Sequence, residues 1–193
     1  MVWLPDPLAV ASVCRIGQPR RVQEQELEDD AQRFVRLMPE GDLTLVVLKG
    51  HLLIEEQLYV LLERRVAAPN KLRGLRLRFP QLVELAQALY GGDDLERIGR
   101  VCFALNTLRN DLAHRLESAE LQAKIMGLER TFEDACGTQV TSGPTDARLT
   151  RILGFLWLYF RERLENTSGS SLISTRIAYE ISYGIIRDGE VDD

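Results

Sequence analysis

Apolar residues along most of this chain recur every three or four positions, which is the spacing of a helix that buries one face. No segment shows a pattern that indicates a strand. The pattern therefore predicts an all-α protein, a single helical bundle of about five to seven helices. The predicted helices span about 22–38, 42–66, 80–89, 95–114, 118–135 and 145–165.

Both ends of the chain differ from this bundle. Residues 1–21 are rich in proline and have no helical period, which indicates an irregular N-terminal arm. The bundle occupies 22–165, and 166–193 form a linker and a C-terminal apolar segment with isoleucine at every fourth position. We favour a seventh helix packed on the core for this segment, but a docking element for a second subunit or a partner fits the same pattern.

The second predicted helix is apolar on nearly every face from Leu43 to Ile54, which predicts that it forms the buried centre of the bundle. Within it, His51 and Glu55 lie one turn apart on one face. The pair either orients a base or simply satisfies two polar groups through a structural hydrogen bond, and we favour the second interpretation. No second histidine follows at ligand spacing, so no metal site is predicted.

The long helix predicted over 95–114 ends in polar residues that its apolar stripe leaves outside the core. At about 100° per residue, His114 lies roughly opposite the stripe and Asn110 lies one turn before it. Arg109 lies about 140° round the helix from His114, but its long side chain can lean toward the same region where the helix end or a second copy supplies a pocket. The helix end thus offers a cation, an amide and a titratable imidazole. The stripe consists of Val101, Leu105, Leu108, Leu112 and Leu116.

At this point the chain resembles a known family. Arg109-Asn110-x-x-x-His114 resembles the Arg-polar-x(4–6)-His signature of HEPN domains, helical bundles of which many are ribonucleases, and the stretch from Lys49 to Leu58 resembles the second helix of several HEPN subfamilies. The resemblance implies a homodimer that pairs its motif helices across a two-fold axis and cleaves RNA without a metal, leaving a 2′,3′-cyclic phosphate. It also implies that Arg109 and His114 are catalytic and that Asn110 positions the phosphate or the histidine.

The net charge of −5 limits how this chain binds RNA. A protein that holds nucleic acid by its general surface is basic, because each phosphate contact needs a cation. We therefore expect any RNA to be bound through a local basic patch or a pocket, or with the help of a partner. The densest basic stretch holds Lys71, Arg73, Arg76 and Arg78. These residues either guide a phosphate backbone, or they pair with the acidic first helix or cover a helix C-terminus.

Other classes of protein receive little support. The three cysteines follow no zinc or disulfide pattern, and no phosphate loop, nucleophile elbow or dinucleotide fingerprint is present. We expect no cofactor, no signal peptide or membrane span, and a cytoplasmic location. The expected function is a metal-independent endoribonuclease, a toxin or phage-defence effector with RNA as substrate and an antitoxin or regulatory protein as partner. The alternatives are a non-enzymatic regulator or protein-binding module, similar to the mannitol-operon repressor-like proteins, and a polar pair of purely structural role.

Overall fold

The computed structural model describes residues 33–114, 119–137, 139–140 and 143–165, without the side chains of residues 114, 119 and 165. Within these ranges the chain is helical and holds no strand, so the all-α prediction is confirmed. The predicted arm 1–21, the segment 166–193 and most of the first predicted helix lie outside the described residues. The helices are α1 (residues 33–37), α2 (Leu43–Glu63), α3 (Pro69–Leu72), α4 (Phe79–Tyr90), α5 (Asp93–His114), α6 (Ala119–Cys136) and α7 (Thr145–Glu165).

Local sequence signals explain most helix ends. The carboxylate of Asp42 accepts a hydrogen bond from the backbone N–H of Leu45 at 3.0 Å and so caps the start of α2. The break between α4 and α5 holds Gly91 and Gly92 at φ 62° and 96°, a left-handed conformation that favours glycine. The predicted bounds of the last helix agree with α7 at both ends.

The region from Ala67 to Pro80 is more ordered than its sequence indicates. We expected a break in the helical pattern, but α3 and a 3-10 turn over Arg73–Leu75 occupy it, and α2 ends three residues before the predicted Val66. Pro69 starts α3 at the position where a helix needs no backbone donor. Segments this short do not complete enough turns to produce a periodic pattern, so hydrophobic spacing cannot predict them.

Helix α2 lies at the centre of the bundle, where it packs against α4, α5 and α7, and α6 packs on α5. At Gly50, α2 and α7 approach so closely that a Cβ atom would stand 2.4 Å from the Leu153 side chain. The second helix therefore forms the centre of the bundle, as its apolar pattern predicts. However, α2 is not buried on every face, because Leu45 and Leu52 are 52% and 62% exposed.

A partly buried polar network joins the start of α5 to the end of α7. The carboxylate of Asp94 accepts hydrogen bonds from the Tyr159 hydroxyl at 2.8 Å and from Arg163 Nη1 at 2.5 Å. Arg163 Nη2 also donates to the Gly91 carbonyl at 2.9 Å. These bonds engage both terminal nitrogens of Arg163, whereas its buried Nε has no hydrogen-bond partner, and they hold the start of α5 against the end of α7.

Candidate functional site

The apolar stripe of α5 decides which of its polar residues face outward. Val101, Leu105 and Leu108 are fully buried and Leu112 nearly so, which confirms the predicted stripe over these positions. Arg109 is partly exposed and Asn110 is exposed. The guanidinium of Arg109 donates to Asn110 Oδ1 at 3.2 Å, so the two motif residues contact each other.

His114 is the last residue of α5, as predicted. Its side chain lies outside the described part of the structure. The proposed role of this imidazole therefore stays a prediction, based on its position five residues after Arg109.

The other histidine, His51, is buried between α2 and α5, with 5% of its surface exposed. Its Nε2 lies 3.4 Å from Asn106 Oδ1 on α5, and its Nδ1 lies 3.7 Å from Glu55 Oε2 one turn along α2. The ring of Phe79 packs on the imidazole, with 4.1 Å between centroids. Burial, together with the positive charge of Arg109, lowers the pKa of His51 to about 4 despite the hydrogen bond to Asn106, so the ring is neutral at pH 7.

Glu55 links this buried histidine to the motif on α5. Its side chain is 30% exposed, and partial burial raises the pKa of its carboxyl. The positive charge of Arg109 opposes that shift, whereas the neighbouring carboxylate of Glu56 adds to it. Arg109 thus acts electrostatically on both Glu55 and His51. The contact between His51 and Asn106 places the histidine of α2 against the helix that carries the motif.

Arg73, one of the four predicted phosphate ligands, is held by carboxylates of α2. It makes two hydrogen bonds to Glu56, at 2.9 and 3.1 Å, and one to Glu63 at 2.7 Å. Its guanidinium also lies over the Tyr59 ring, 5.1 Å from the centroid. These bonds lower the pKa of Glu56. Arg73 therefore joins the α3 region to α2.

The other three predicted phosphate ligands, Lys71, Arg76 and Arg78, are exposed. Among the residues that the structure describes, none of them forms an ion pair with a carboxylate. Arg76 adopts φ 50°, and it is the only non-glycine residue with a positive φ in the described part of the chain. Arg78 directly precedes Phe79, whose ring covers His51. We call Lys71, Arg76 and Arg78 the basic turn. It ends one residue before Phe79, which contacts His51.

Sequence reasoning did not identify Asn106 and Phe79. Asn106 lies one turn before Asn110 on α5, so a polar residue at helical spacing from the motif was the available signal. Phe79 directly follows the basic stretch in the sequence. Its contact with His51 depends on how α4 packs against α2, and no local pattern records that packing.

Several classes of site find no support in the described ranges. No cluster of histidine, cysteine, aspartate and glutamate there is grouped to hold a metal ion, and no helix there is long and apolar enough to cross a membrane. Burial raises the pKa of the Cys102 and Cys136 thiols, which disfavours the thiolate that a cysteine nucleophile needs. Comparisons with protein-family models, curated proteins and solved structures find no match to this chain.

Proposed function

We propose that this protein is a metal-independent endoribonuclease whose active site lies where the outer surfaces of α2 and α5 meet. The observation that carries this proposal is the position of Arg109. Its guanidinium lies close enough to His51 and Glu55 to shift the pKa of both, in the turn of α5 that precedes His114. A cation at the phosphate and an imidazole for proton transfer are groups that phosphodiester cleavage needs, and we assign these roles to Arg109 and His114.

The reaction uses the 2′-hydroxyl of the RNA itself as nucleophile. That oxygen loses a proton and attacks the adjacent phosphorus, negative charge grows on the phosphoryl oxygens, and the 5′-oxygen leaves with a proton. Arg109 is always charged and its planar fork matches phosphate oxygens, so it stabilises that growing charge. Asn110, which accepts a hydrogen bond from Arg109, orients the guanidinium. Histidine is the side chain best suited to proton transfer near neutral pH, and we assign that role to His114.

A second copy of the chain fits this site as a partner. Leu45 and Leu52 are large apolar side chains exposed seven residues apart, two helical turns, on α2. A homodimer that covers them would bring two copies of the motif helix near each other, in the arrangement that the resemblance to HEPN nucleases implies. An observation of mass in solution tests this part separately, because a composite site requires at least two copies.

The basic turn supports RNA as the substrate in spite of the acidic chain. Lys71, Arg76 and Arg78 are exposed, and the described carboxylates leave them without ion pairs. They precede Phe79, so a phosphate backbone that follows them reaches the surface above His51. Three cations serve a short single-stranded segment rather than a long duplex.

A second candidate function is a non-enzymatic regulator or binding module. The net charge of −5 and the exposed leucines of α2 favour it, because both suit a protein partner as well as they suit RNA. Our first proposal remains the nuclease, as a cytoplasmic toxin or phage-defence effector that an antitoxin inhibits. A regulator would give no reason for the charge of Arg109 to act on Glu55 and His51.

The test is cleavage of total cellular RNA by the purified protein in EDTA. The unmutated protein is compared with Arg109→Ala, His114→Ala and, as a matched control, Arg100→Ala, which removes an exposed arginine from the same helix. Circular dichroism and light scattering verify that each variant has the same fold and mass. We expect cyclic-phosphate ends from the unmutated protein and the control only. Equal inertness of all four folded proteins would refute the nuclease and favour the regulator.

A further inference from the structure

One aromatic residue of α5 differs from the other aromatic residues of the bundle. All six phenylalanines of the chain lie in the described ranges, and five of them pack on another ring. The described tyrosines pack on a ring or lie beneath a guanidinium. Phe103 has neither kind of partner in the described part of the chain. The helix that carries Arg109 and Asn110 thus holds an aromatic ring with no stacking partner of its own.

Helix geometry places Phe103 on the outward side of α5. At about 100° per residue, its direction falls between those of Thr107 and Asn110, and both of these residues are exposed. Phe103 is partly exposed, and the rest of its side chain packs against the core. The core therefore fixes the position of the ring, while solvent reaches part of it.

The same side of α5 holds the groups that we assign to the phosphate. Asn110 lies two helical turns after Phe103, about 10 Å along the axis. The guanidinium of Arg109 donates to Asn110 Oδ1 at 3.2 Å, which draws it toward this side. Between them, the Thr107 hydroxyl donates to the Phe103 carbonyl at 3.0 Å. A strand that places a phosphate at Arg109 and Asn110 can therefore reach Phe103 with the base of a neighbouring nucleotide.

Resting on the ribonuclease function above, we propose that Phe103 stacks on an unpaired base of the RNA, beside the phosphate that Arg109 and Asn110 bind. Every nucleobase has a flat apolar face, so the contact adds affinity without requiring one sequence. In a duplex the bases stack on one another, whereas single-stranded loops, bulges and ends leave a base free to stack on an aromatic side chain. The substrate class is therefore RNA with an unpaired base next to the cleaved phosphate.

The other apolar side chains at the surface are less suited to this contact. The large ones that the described structure exposes are four leucines and Met126, and none of them belongs to α5. None has the flat aromatic face on which a base stacks. Phe79 is buried and already packs on His51. Phe103 is the aromatic residue that combines exposure with a position on the motif helix.

A purely structural role for Phe103 makes a different prediction. If the ring only completes the margin of the core, leucine should replace it with little loss, because a hydrophobic side chain of similar volume keeps the packing. RNA binding would then stay unchanged. If the ring stacks on a base, leucine preserves the fold but removes the aromatic face.

Fluorescence anisotropy with a short labelled single-stranded RNA separates these two roles. The RNA carries 2′-O-methyl groups, which prevent cleavage and leave binding measurable. We compare the unmutated protein with Phe103→Leu, Phe103→Trp and the control Met126→Ala, which removes an exposed apolar side chain from α6. Loss of the contact between a base and an aromatic ring weakens binding by about 5- to 150-fold, so we expect at least the lower value for Phe103→Leu. Phe103→Trp and the control should keep the Kd of the unmutated protein or, for tryptophan, lower it.

An abasic nucleotide, moved along the RNA, gives a readout that a structural role would not change. For the unmutated protein, one position should weaken binding by about 5-fold or more when its base is missing. In Phe103→Leu that position should lose its effect, because the base there has no ring to stack on. Circular dichroism verifies that the variants have the same fold.

Two results would overturn the inference and leave the ribonuclease standing. One is a folded Phe103→Leu protein that binds the intact RNA within twofold of the unmutated protein, while Arg109→Ala loses binding. The other is an equal effect of every abasic position in Phe103→Leu and in the unmutated protein, which would make the role of Phe103 structural. An unmutated protein that neither binds nor cleaves any RNA refutes the ribonuclease and, with it, this inference.

Discussion

Two arginines act on neighbouring residues of α2, Arg73 through hydrogen bonds and Arg109 through its charge. Arg73 makes three hydrogen bonds to Glu56 and Glu63 and lies over the Tyr59 ring. Arg109 has Asn110 as its hydrogen-bond partner among the described residues and acts on Glu55 and His51 through its charge. A guanidinium has five N–H donors, so Arg109 keeps most of them available for a phosphate. Arg73 is a structural link, whereas Arg109 is suited to bind substrate.

The largest expected effect separates these two arginines by activity. Arg109→Ala should lower the rate of RNA cleavage by about 10²- to 10³-fold, because it removes a charged donor from the developing negative charge. Arg109→Lys should recover little, since an ammonium does not reproduce the planar fork. Arg73→Ala should stay within a few-fold of the unmutated rate. Equal losses in the two alanine variants, measured under single-turnover conditions, would remove the distinction between them.

The two regions should also respond to acid in different pH windows. His51 has its pKa lowered to about 4 from 6.5, so the unfolded chain binds the proton more readily and stability falls as pH decreases from 6.5 to 4. A shift of that size corresponds to about 3 kcal/mol. Glu56 has a lowered pKa, so its contribution is present above the ordinary carboxyl range and is lost only below it.

Urea unfolding at several pH values measures this difference. His51→Gln keeps a polar side chain beside Asn106 but does not titrate, so we expect its stability to change little between pH 6.5 and 5. Glu56→Gln should show the same dependence of the free energy of unfolding on pH between 6.5 and 5 as the unmutated protein. A His51→Gln protein with the full slope of the unmutated protein would show that other groups produce the acid sensitivity.

The sequence predicted the helices better than it predicted how they meet. Helix α7 has both predicted ends because its apolar positions extend over many turns and Thr145 directly follows the turn-forming Gly143-Pro144. The stripe of α5 correctly placed Asn110 on the exposed side of the helix. Neither pattern contains the crossing of α2 and α5 that inserts Asn106 beside His51. This contact joins residues 55 positions apart, and it depends on how the two helices pack.

Arg73 should matter more for stability than for chemistry. Its ion pairs are about half exposed, with side-chain exposures of 49% for Arg73 and 55% for Glu56. Exposed pairs contribute little, and the stacking on Tyr59 adds to them, so Arg73→Ala should lower the free energy of unfolding by about 1 kcal/mol. Arg100→Ala is the control for loss of an exposed arginine. A larger loss of RNA affinity than of stability would instead place Arg73 in the substrate path.

The smallest expected effect concerns Arg76, for which we predict both a structural effect, as for Arg73, and a role in RNA binding, as for Arg109. Its φ of 50° is costly for a residue with a Cβ, and an observed outlier of this kind is often kept for function. Arg76→Gly should raise the free energy of unfolding by about 0.5 kcal/mol, because relief of the strain outweighs the added entropy of the unfolded chain. If Arg76 contacts a phosphate, the same change lowers the slope of log Kd against log salt by about 0.7 for single-stranded RNA. The control Arg76→Lys keeps both the charge and the backbone strain, so it should change neither the free energy of unfolding nor the salt slope. If Arg76→Gly leaves the salt slope unaltered, Arg76 does not belong to the RNA-binding surface and its strain has no functional reason.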